Sequence, residues 1–115
     1  MKENTLANIT NKIVTMANEV FSEVLKSVIL FGSYARGDYN EYSDIDVMIV
    51  VNMSAEHLTK YEEEVLRFSS RLSLETEQCI TISLLLQDAD TLDKYRDYLP
   101  FYSNVLNEGV VLYAA

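Results

Sequence analysis

The most informative segment of the chain is Phe31–Asp46, which reads FGSYARGDYNEYSDID. A short apolar run, Val28–Phe31, ends at Gly32 within this segment, and a second apolar run, Ile45–Val51, follows it. Short apolar runs bounded by glycine or polar residues are typical of buried strands. The short connection allows the two strands to pair antiparallel. Such a pair brings Gly32 and Asp46 to the same end of the sheet.

The rest of the chain alternates amphipathic helical patterns with short apolar runs. The predicted elements are helices over Thr5–Leu25 and Leu58–Leu72, a strand over Cys79–Leu86 with Cys79 buried in it, helices between Leu92 and Leu106, and a small final strand over Val110–Tyr113. Because a helix connects the second and third strands, we expect these two strands to run parallel. The sequence therefore predicts an α+β fold in which helices flank a small mixed sheet.

Length and composition limit the class of protein. The chain has 115 residues, of which 49% are hydrophobic, and this predicts one domain over residues 1–115 with a real core. Its 18 acidic and 9 basic side chains give a formal charge of −9, which argues against direct nucleic-acid binding and against a polybasic membrane-surface protein. The apolar runs are too short to span a bilayer, and Met1–Thr5 does not resemble the start of a secretory signal. We therefore expect a cytoplasmic protein.

The two aspartates at the start of the second strand are the first candidates for chemistry. Residues two apart in a strand point the same way, so Asp44 and Asp46 share one face while Ile45 enters the core. Two neighbouring carboxylates repel each other, and Mg²⁺ is the usual compensating ion, often bridging to substrate phosphates. Gly32 allows close approach of a ligand to the backbone, and Ser33 offers a hydroxyl and an N–H that suit a phosphate. Metal, phosphate and paired acids together indicate metal-assisted nucleotide chemistry.

Other polar and aromatic residues of the segment allow two interpretations each. Asp44 and Asp46 also fit a solvated strand end. Arg36 can neutralise a phosphate as a charge-assisted donor, or it can pair with Asp38 or Asp44 and order the loop. The three tyrosines of the segment can stack on a base or meet a partner, or they can pack locally.

Gly32-Ser33, ten intervening residues and Asp44-Ile45-Asp46 resemble the signature of the polymerase-beta-like nucleotidyltransferase superfamily. The form Gly-Ser-Tyr-Ala-Arg-Gly…Ser-Asp-Ile-Asp most resembles its minimal nucleotidyltransferases (MNT), the antitoxin partners of HEPN-domain toxins. The resemblance implies the superfamily's α+β core and the transfer of AMP from Mg-ATP to a hydroxyl group. It implies that Asp44 and Asp46 are catalytic and hold the metal, and that Gly32 and Ser33, with Arg36 as a further candidate, bind the nucleoside triphosphate.

The MNT subgroup also implies a partner. Its acceptor is a tyrosine of the HEPN ribonuclease, which is silenced by the attachment, so the resemblance implies a hetero-oligomer. Larger nucleotidyltransferases carry extra domains for their acceptors, whereas a chain of 115 residues is taken up by the core. A small-molecule nucleotidyltransferase is the less favoured hypothesis for the same reason.

The sequence departs from the superfamily pattern at one point. The superfamily usually places a third carboxylate on the strand after the crossover helix, where it often serves as the base for the incoming hydroxyl. In the predicted third strand Cys79, Thr81 and Ser83 share a face and none is a carboxylate, and Glu77, which precedes them at the same parity, is the candidate for the third acid. This departure leaves three interpretations: slow catalysis, a base supplied by the partner, or a weakly catalytic, nucleotide-binding antitoxin that neutralises its toxin by complex formation.

Overall fold

The structure is a computed structural model that describes residues 3–115. Met1 and Lys2, which belong to the Met1–Thr5 stretch compared above with a secretory signal, lie outside the described residues. The helices and strands are α1 (Glu3–Phe21), β1 (Leu25–Phe31), α2 (Ser33–Arg36), β2 (Ile45–Val51), α3 (Ala55–Leu58), α4 (Glu62–Glu75), β3 (Ile82–Asp88), α5 (Ala89–Tyr95), α6 (Pro100–Glu108) and β4 (Val110–Ala114). Among residues 3–115 no helix combines the length and the apolar composition that crossing a bilayer requires.

The four strands form one mixed sheet in the order β3-β2-β1-β4. β1 pairs antiparallel with β2 on one side and with β4 on the other, whereas β2 and β3 run parallel. The crossover from β2 to β3 contains α3 and α4, as a parallel connection requires. The predicted α+β class, the mixed sheet and both predicted strand orientations are confirmed.

Helices cover both faces of the sheet, and each face has its own apolar cluster. The first face packs against α1 and α4, and its cluster includes Val28, Leu30, Val47, Ile49, Ile13 and Leu72. The second face packs against α5 and α6, and its cluster is Ile29, Met48, Val50, Ala89, Leu92 and Val105. Since Asp46 has the same parity in β2 as Met48 and Val50, its side chain lies on the second face. The sequence analysis identified the first face and missed that β2 is buried on both.

The third strand begins later than predicted. Cys79 is exposed and has a φ of 48°, which is a left-handed conformation that no strand residue adopts. Side-chain hydrogen bonds shape this turn, because the Thr76 hydroxyl accepts from the Ile80 N–H at 2.9 Å and the Ser73 hydroxyl donates to the Ile80 carbonyl at 2.6 Å. The prediction of a buried Cys79 in a strand from residue 79 is therefore wrong, and β3 starts at Ile82.

Candidate active site

Gly32 and Asp46 are in contact at the end of the sheet where β1 finishes and β2 begins. The antiparallel register pairs Phe31 with Asp46, so Gly32 lies directly beside that aspartate. A Cβ added to Gly32 would lie 2.6 Å from Oδ2 of Asp46, closer than real Cβ atoms approach any neighbour. Gly32 also has φ 73° and ψ −156°, a conformation that is almost restricted to glycine. Two separate constraints therefore require glycine next to this carboxylate.

The single helical turn α2 starts directly after Gly32. The Gly32 carbonyl accepts hydrogen bonds from the N–H groups of Ala35 and Arg36, both at 3.1 Å, and Gly37 ends the turn with φ 85°. Ser33 is the first residue of the turn, and first-turn N–H groups have no partner within their own helix. The structure thus brings Ser33 to the same end of the sheet as the two aspartates. Phosphate binding by Ser33 stays a prediction.

Asp44 and Asp46 are the two carboxylates at the start of β2. Asp44 is exposed immediately before β2, and Asp46 is half-buried as its second residue. Burial raises the pKa of Asp46, the charge of Asp44 raises it further, and the charge of Arg36 lowers it. Within residues 3–115 neither carboxylate takes part in an ion pair of 4 Å or less. Two neighbouring carboxylates without an ion pair among the described residues, one of them beside a glycine whose missing side chain leaves room for it, fit a hard divalent cation.

Arg36 connects α2 to the end of α6. Its Nε donates to Oδ2 of Asp38 at 3.2 Å, and its Nη1 lies 3.6 Å from Oε2 of Glu108. The hydrogen bond and charge of Asp38, followed by Glu108, raise the pKa of Arg36. The loop-ordering interpretation therefore holds for Asp38 and not for Asp44, and the sequence analysis missed Glu108. Triphosphate binding by Arg36 stays a prediction.

The tyrosines of the segment have different surroundings. Tyr34 is buried and stacks on Tyr39, with ring centroids 4.3 Å apart and an interplanar angle of 11°. Burial raises the pKa of Tyr34, with smaller contributions from Tyr39 and Asp44. Tyr42 is 86% exposed. Local packing thus accounts for Tyr34 and Tyr39 and leaves Tyr42 facing solvent.

The β3 residue beside Asp46 is a serine. The parallel register pairs Asp46 with Ser83, so both side chains lie on the second face, and Ser83 is exposed. Glu77 lies in the turn between α4 and β3, where it lines a cavity of about 640 Å³ together with Lys12. Within the described part of the chain no three His, Cys, Asp or Glu side chains form a group able to hold a metal ion.

Phe31 is a neighbour of the site that the sequence analysis did not single out. Phe31 is the strand partner of Asp46, and its ring makes an edge-to-face contact with Phe101 of α6, with centroids 5.7 Å apart. The predicted antiparallel pair contained a signal for Phe31, because it brings the end of the first strand beside the start of the second. No sequence signal indicated Phe101, whose contact depends on the path of α6 across the sheet.

Comparison with known proteins gives matches over most of the chain. The family described as "Nucleotidyltransferase domain" matches residues 11–111. A relative from Methanocaldococcus jannaschii, named "Putative protein adenylyltransferase", is 37% identical over 89 residues, which cover 77% of this chain and 79% of the relative.

Two solved structures share the fold. A "putative nucleotidyltransferase" from Sulfolobus solfataricus has a TM-score of 0.62 at 23% identity, covering 93% of this chain and 78% of that one. A toxin–antitoxin with AMP-PNP has a TM-score of 0.54 at 19% identity, covering 92% of this chain and 73% of that one. Because the sequence match extends over residues 11–111 and the fold agrees with it, the chain belongs to the nucleotidyltransferase domain family of enzymes.

Proposed function

We propose that the chain transfers AMP from Mg-ATP to a hydroxyl group of a partner protein, a tyrosine of a HEPN ribonuclease, and thereby acts as its antitoxin. The observation that carries this proposal is the contact between Gly32 and Asp46, with 2.6 Å from the position of an added Cβ to the carboxylate oxygen. Support also comes from the 37% identical relative named as a protein adenylyltransferase and from the fold shared with a toxin–antitoxin that carries AMP-PNP.

Each residue of the proposed site has one task. Asp44 and Asp46 hold Mg²⁺, which, when bound, polarises phosphate oxygens and offsets the charge that develops on them. Gly32 leaves room for the Asp46 carboxylate and lets the nucleotide approach the backbone closely, and Ser33 offers its N–H and hydroxyl as donors. If Arg36 binds the triphosphate, it must exchange its contact with Asp38 for one with the nucleotide.

The proposed reaction is a displacement at phosphorus. The acceptor hydroxyl oxygen forms a bond to the α-phosphorus, the bond from that phosphorus to the bridging oxygen breaks, and pyrophosphate leaves. The hydroxyl proton must pass to a base. Ser83, which lies beside Asp46 on β3, is not a base at neutral pH. The proton therefore goes to the acceptor protein or to water, and we expect turnover to be slow.

The same serine favours a second candidate function. A chain that has serine instead of a carboxylate opposite Asp46 on β3 can bind the nucleotide and cover the toxin's site without transferring AMP. In this case the chain is a nucleotide-binding antitoxin that acts by complex formation. The two candidates share the Mg-ATP site and differ in whether the partner becomes covalently labelled.

Labelling of the partner separates the two candidates. The chain is incubated with a HEPN-domain protein, MgCl₂ and ATP labelled at the α-phosphate, and label on the HEPN protein is expected. The Asp44→Asn/Asp46→Asn variant should give none, whereas Glu62→Gln/Glu64→Gln, which removes two exposed charges of α4, should label normally. Absence of label together with an intact, nucleotide-dependent complex supports the second candidate. Equal labelling by the two double variants contradicts the role of Asp44 and Asp46.

A further inference from the structure

Exposed aromatic and aliphatic side chains cluster where α5 meets α6. We call them the α5–α6 patch, which consists of Tyr95, Tyr98, Leu99 and Phe101. Tyr98 is 79% exposed, and Leu99 and Phe101 are 46% and 47% exposed. The N–H groups of Tyr98 and Leu99 both donate to the Tyr95 carbonyl, at 3.0 and 2.9 Å, so one tight turn holds the patch together. Exposed apolar groups concentrated in this way are typical of interaction surfaces.

The patch is continuous with the proposed site. Phe101 makes an edge-to-face contact with Phe31, and Phe31 is paired with Asp46 in the sheet. A single side chain therefore separates the patch from the carboxylate. Leu85, which is exposed and lies two residues after Ser83 on the same face of β3, adds apolar surface on this face. A protein seated on the patch is thus held next to the reacting end of the sheet.

The charges around the patch indicate the chemistry of its occupant. The exposed charged side chains beside the patch are three acidic ones, Asp90, Asp93 and Asp97, and two basic ones, Lys94 and Arg96, so 2 − 3 gives a net charge of −1 within a chain whose formal charge is −9. This acidic balance attracts a positively charged protein. The patch also contains four side chains on two helices and the turn between them, which is more surface than one nucleobase covers.

We propose that the α5–α6 patch is the docking surface for the acceptor protein, and that it binds a basic surface with apolar or aromatic side chains close to the hydroxyl that is modified. The occupant is the acceptor of the proposed function, so the inference deepens that function. Docking itself can nevertheless be measured whether or not AMP is transferred. Tyr98 and Phe101 are the expected anchors, because large aromatic side chains dominate binding energy at protein interfaces.

The test compares a patch variant with a matched control. Tyr98→Ser/Phe101→Ser removes two anchors, and Leu66→Ser/Leu74→Ser removes two leucines of α4 that are 64% and 74% exposed. Tyr98→Ser alone is a second patch variant that leaves the contact between Phe31 and Phe101 intact. Thermal denaturation verifies that every variant folds.

Three measurements are made for each variant: the Kd of a HEPN-domain protein by calorimetry, the Kd of Mg-ATP, and the kinetics (KM and kcat) of labelling the HEPN protein. We expect the patch variants to raise the Kd and KM of the HEPN protein about tenfold or more. The Kd of Mg-ATP should remain within twofold, and the α4 control should change none of the three.

Two outcomes overturn the inference. One is a HEPN affinity that changes no more in the patch variants than in the α4 control. The other is a fall in Mg-ATP affinity that accounts for the whole loss of labelling, which assigns the patch to the nucleotide. If the unmodified chain binds the HEPN protein without labelling it, adenylyl transfer is contradicted, and the Kd comparison still decides whether the patch is the docking surface.

Discussion

Replacing Gly32 by alanine tests the contact between the backbone and Asp46. At φ 73° and ψ −156° a non-glycine residue is disfavoured by about 1–3 kcal/mol. The new Cβ would also lie 2.6 Å from Oδ2 of Asp46, so the carboxylate has to move. We expect the free energy of unfolding to fall by at least this backbone cost, which lowers Tm by about 4–15 °C in a domain of this size. Mg-ATP binding should be lost with the displaced carboxylate.

Gly37 provides a matched control for the backbone cost. It has φ 85° and ψ 8°, and a Cβ added there meets no atom within 4 Å. Gly37→Ala should therefore destabilise the fold by about 1–2 kcal/mol, the usual cost of a left-handed residue. It leaves Asp46 in place, so Mg-ATP affinity should be retained. Thermal denaturation and titration calorimetry measure both quantities for both variants.

A double-mutant cycle isolates the contact itself. In an Asp46→Ala background the atom that Cβ of residue 32 would strike is absent, so Gly32→Ala should become less destabilising. Gly37→Ala should be equally destabilising in both backgrounds. If Gly32→Ala has the same effect on unfolding free energy with and without the Asp46 side chain, the inferred contact is refuted.

Three further predictions concern charge at the site. Burial and the charge of Asp44 raise the pKa of Asp46, so the stability that this residue contributes is present below its ordinary pKa of 3.8 and is lost as pH rises through the raised pKa. Asp46→Asn should therefore raise Tm at neutral pH without Mg²⁺. This effect should disappear below pH 3.8, and melting curves at each pH check it. Ser83→Asp adds a carboxylate beside Asp46 and should speed labelling of the HEPN protein, whereas Ser83→Asn should not, as initial rates will reveal. Arg36→Ala should change the free energy of unfolding by less than about 1 kcal/mol, because the ion pairs of Arg36 are exposed. The same variant should weaken Mg-ATP binding about tenfold, as calorimetry will measure. An unchanged Kd for Mg-ATP would assign Arg36 to holding α2 against α6.

The parts of the fold that depend on local patterns were predictable from the sequence. β2 has its predicted bounds, Ile45–Val51, because an uninterrupted apolar run lies between polar residues. β1 starts at Leu25 rather than Val28, since Lys26 and Ser27 interrupt the pattern while the strand continues to pair with its neighbours. The start of β3 was not predictable, because hydrogen bonds between side chains and backbone in the preceding turn determine it.

In the candidate site, too, contacts between neighbouring elements were predictable from the sequence, and contacts between distant elements were not. The contact between Gly32 and Asp46 follows from an antiparallel pair joined by a short connection, so the sequence was sufficient to predict it. The link from Arg36 to Glu108 joins residues 72 positions apart, and it forms because α6 returns to the end of α2. Such a contact depends on the path of the whole chain, which the hydrophobic periodicity of single elements does not predict.

The strand order β3-β2-β1-β4 has a consequence for engineering. The residues of the proposed site lie where the two inner strands meet α2 and the loop, whereas Ala89–Glu108 is a segment that connects the two edge strands of the sheet. A connecting segment of this kind can be exchanged without breaking any hydrogen bond between strands, provided that its replacement keeps apolar side chains where Leu92 and Val105 pack. With the proposed docking role of the α5–α6 patch, grafting this segment from another member of the family is the experiment expected to redirect the proposed transfer to a different acceptor protein.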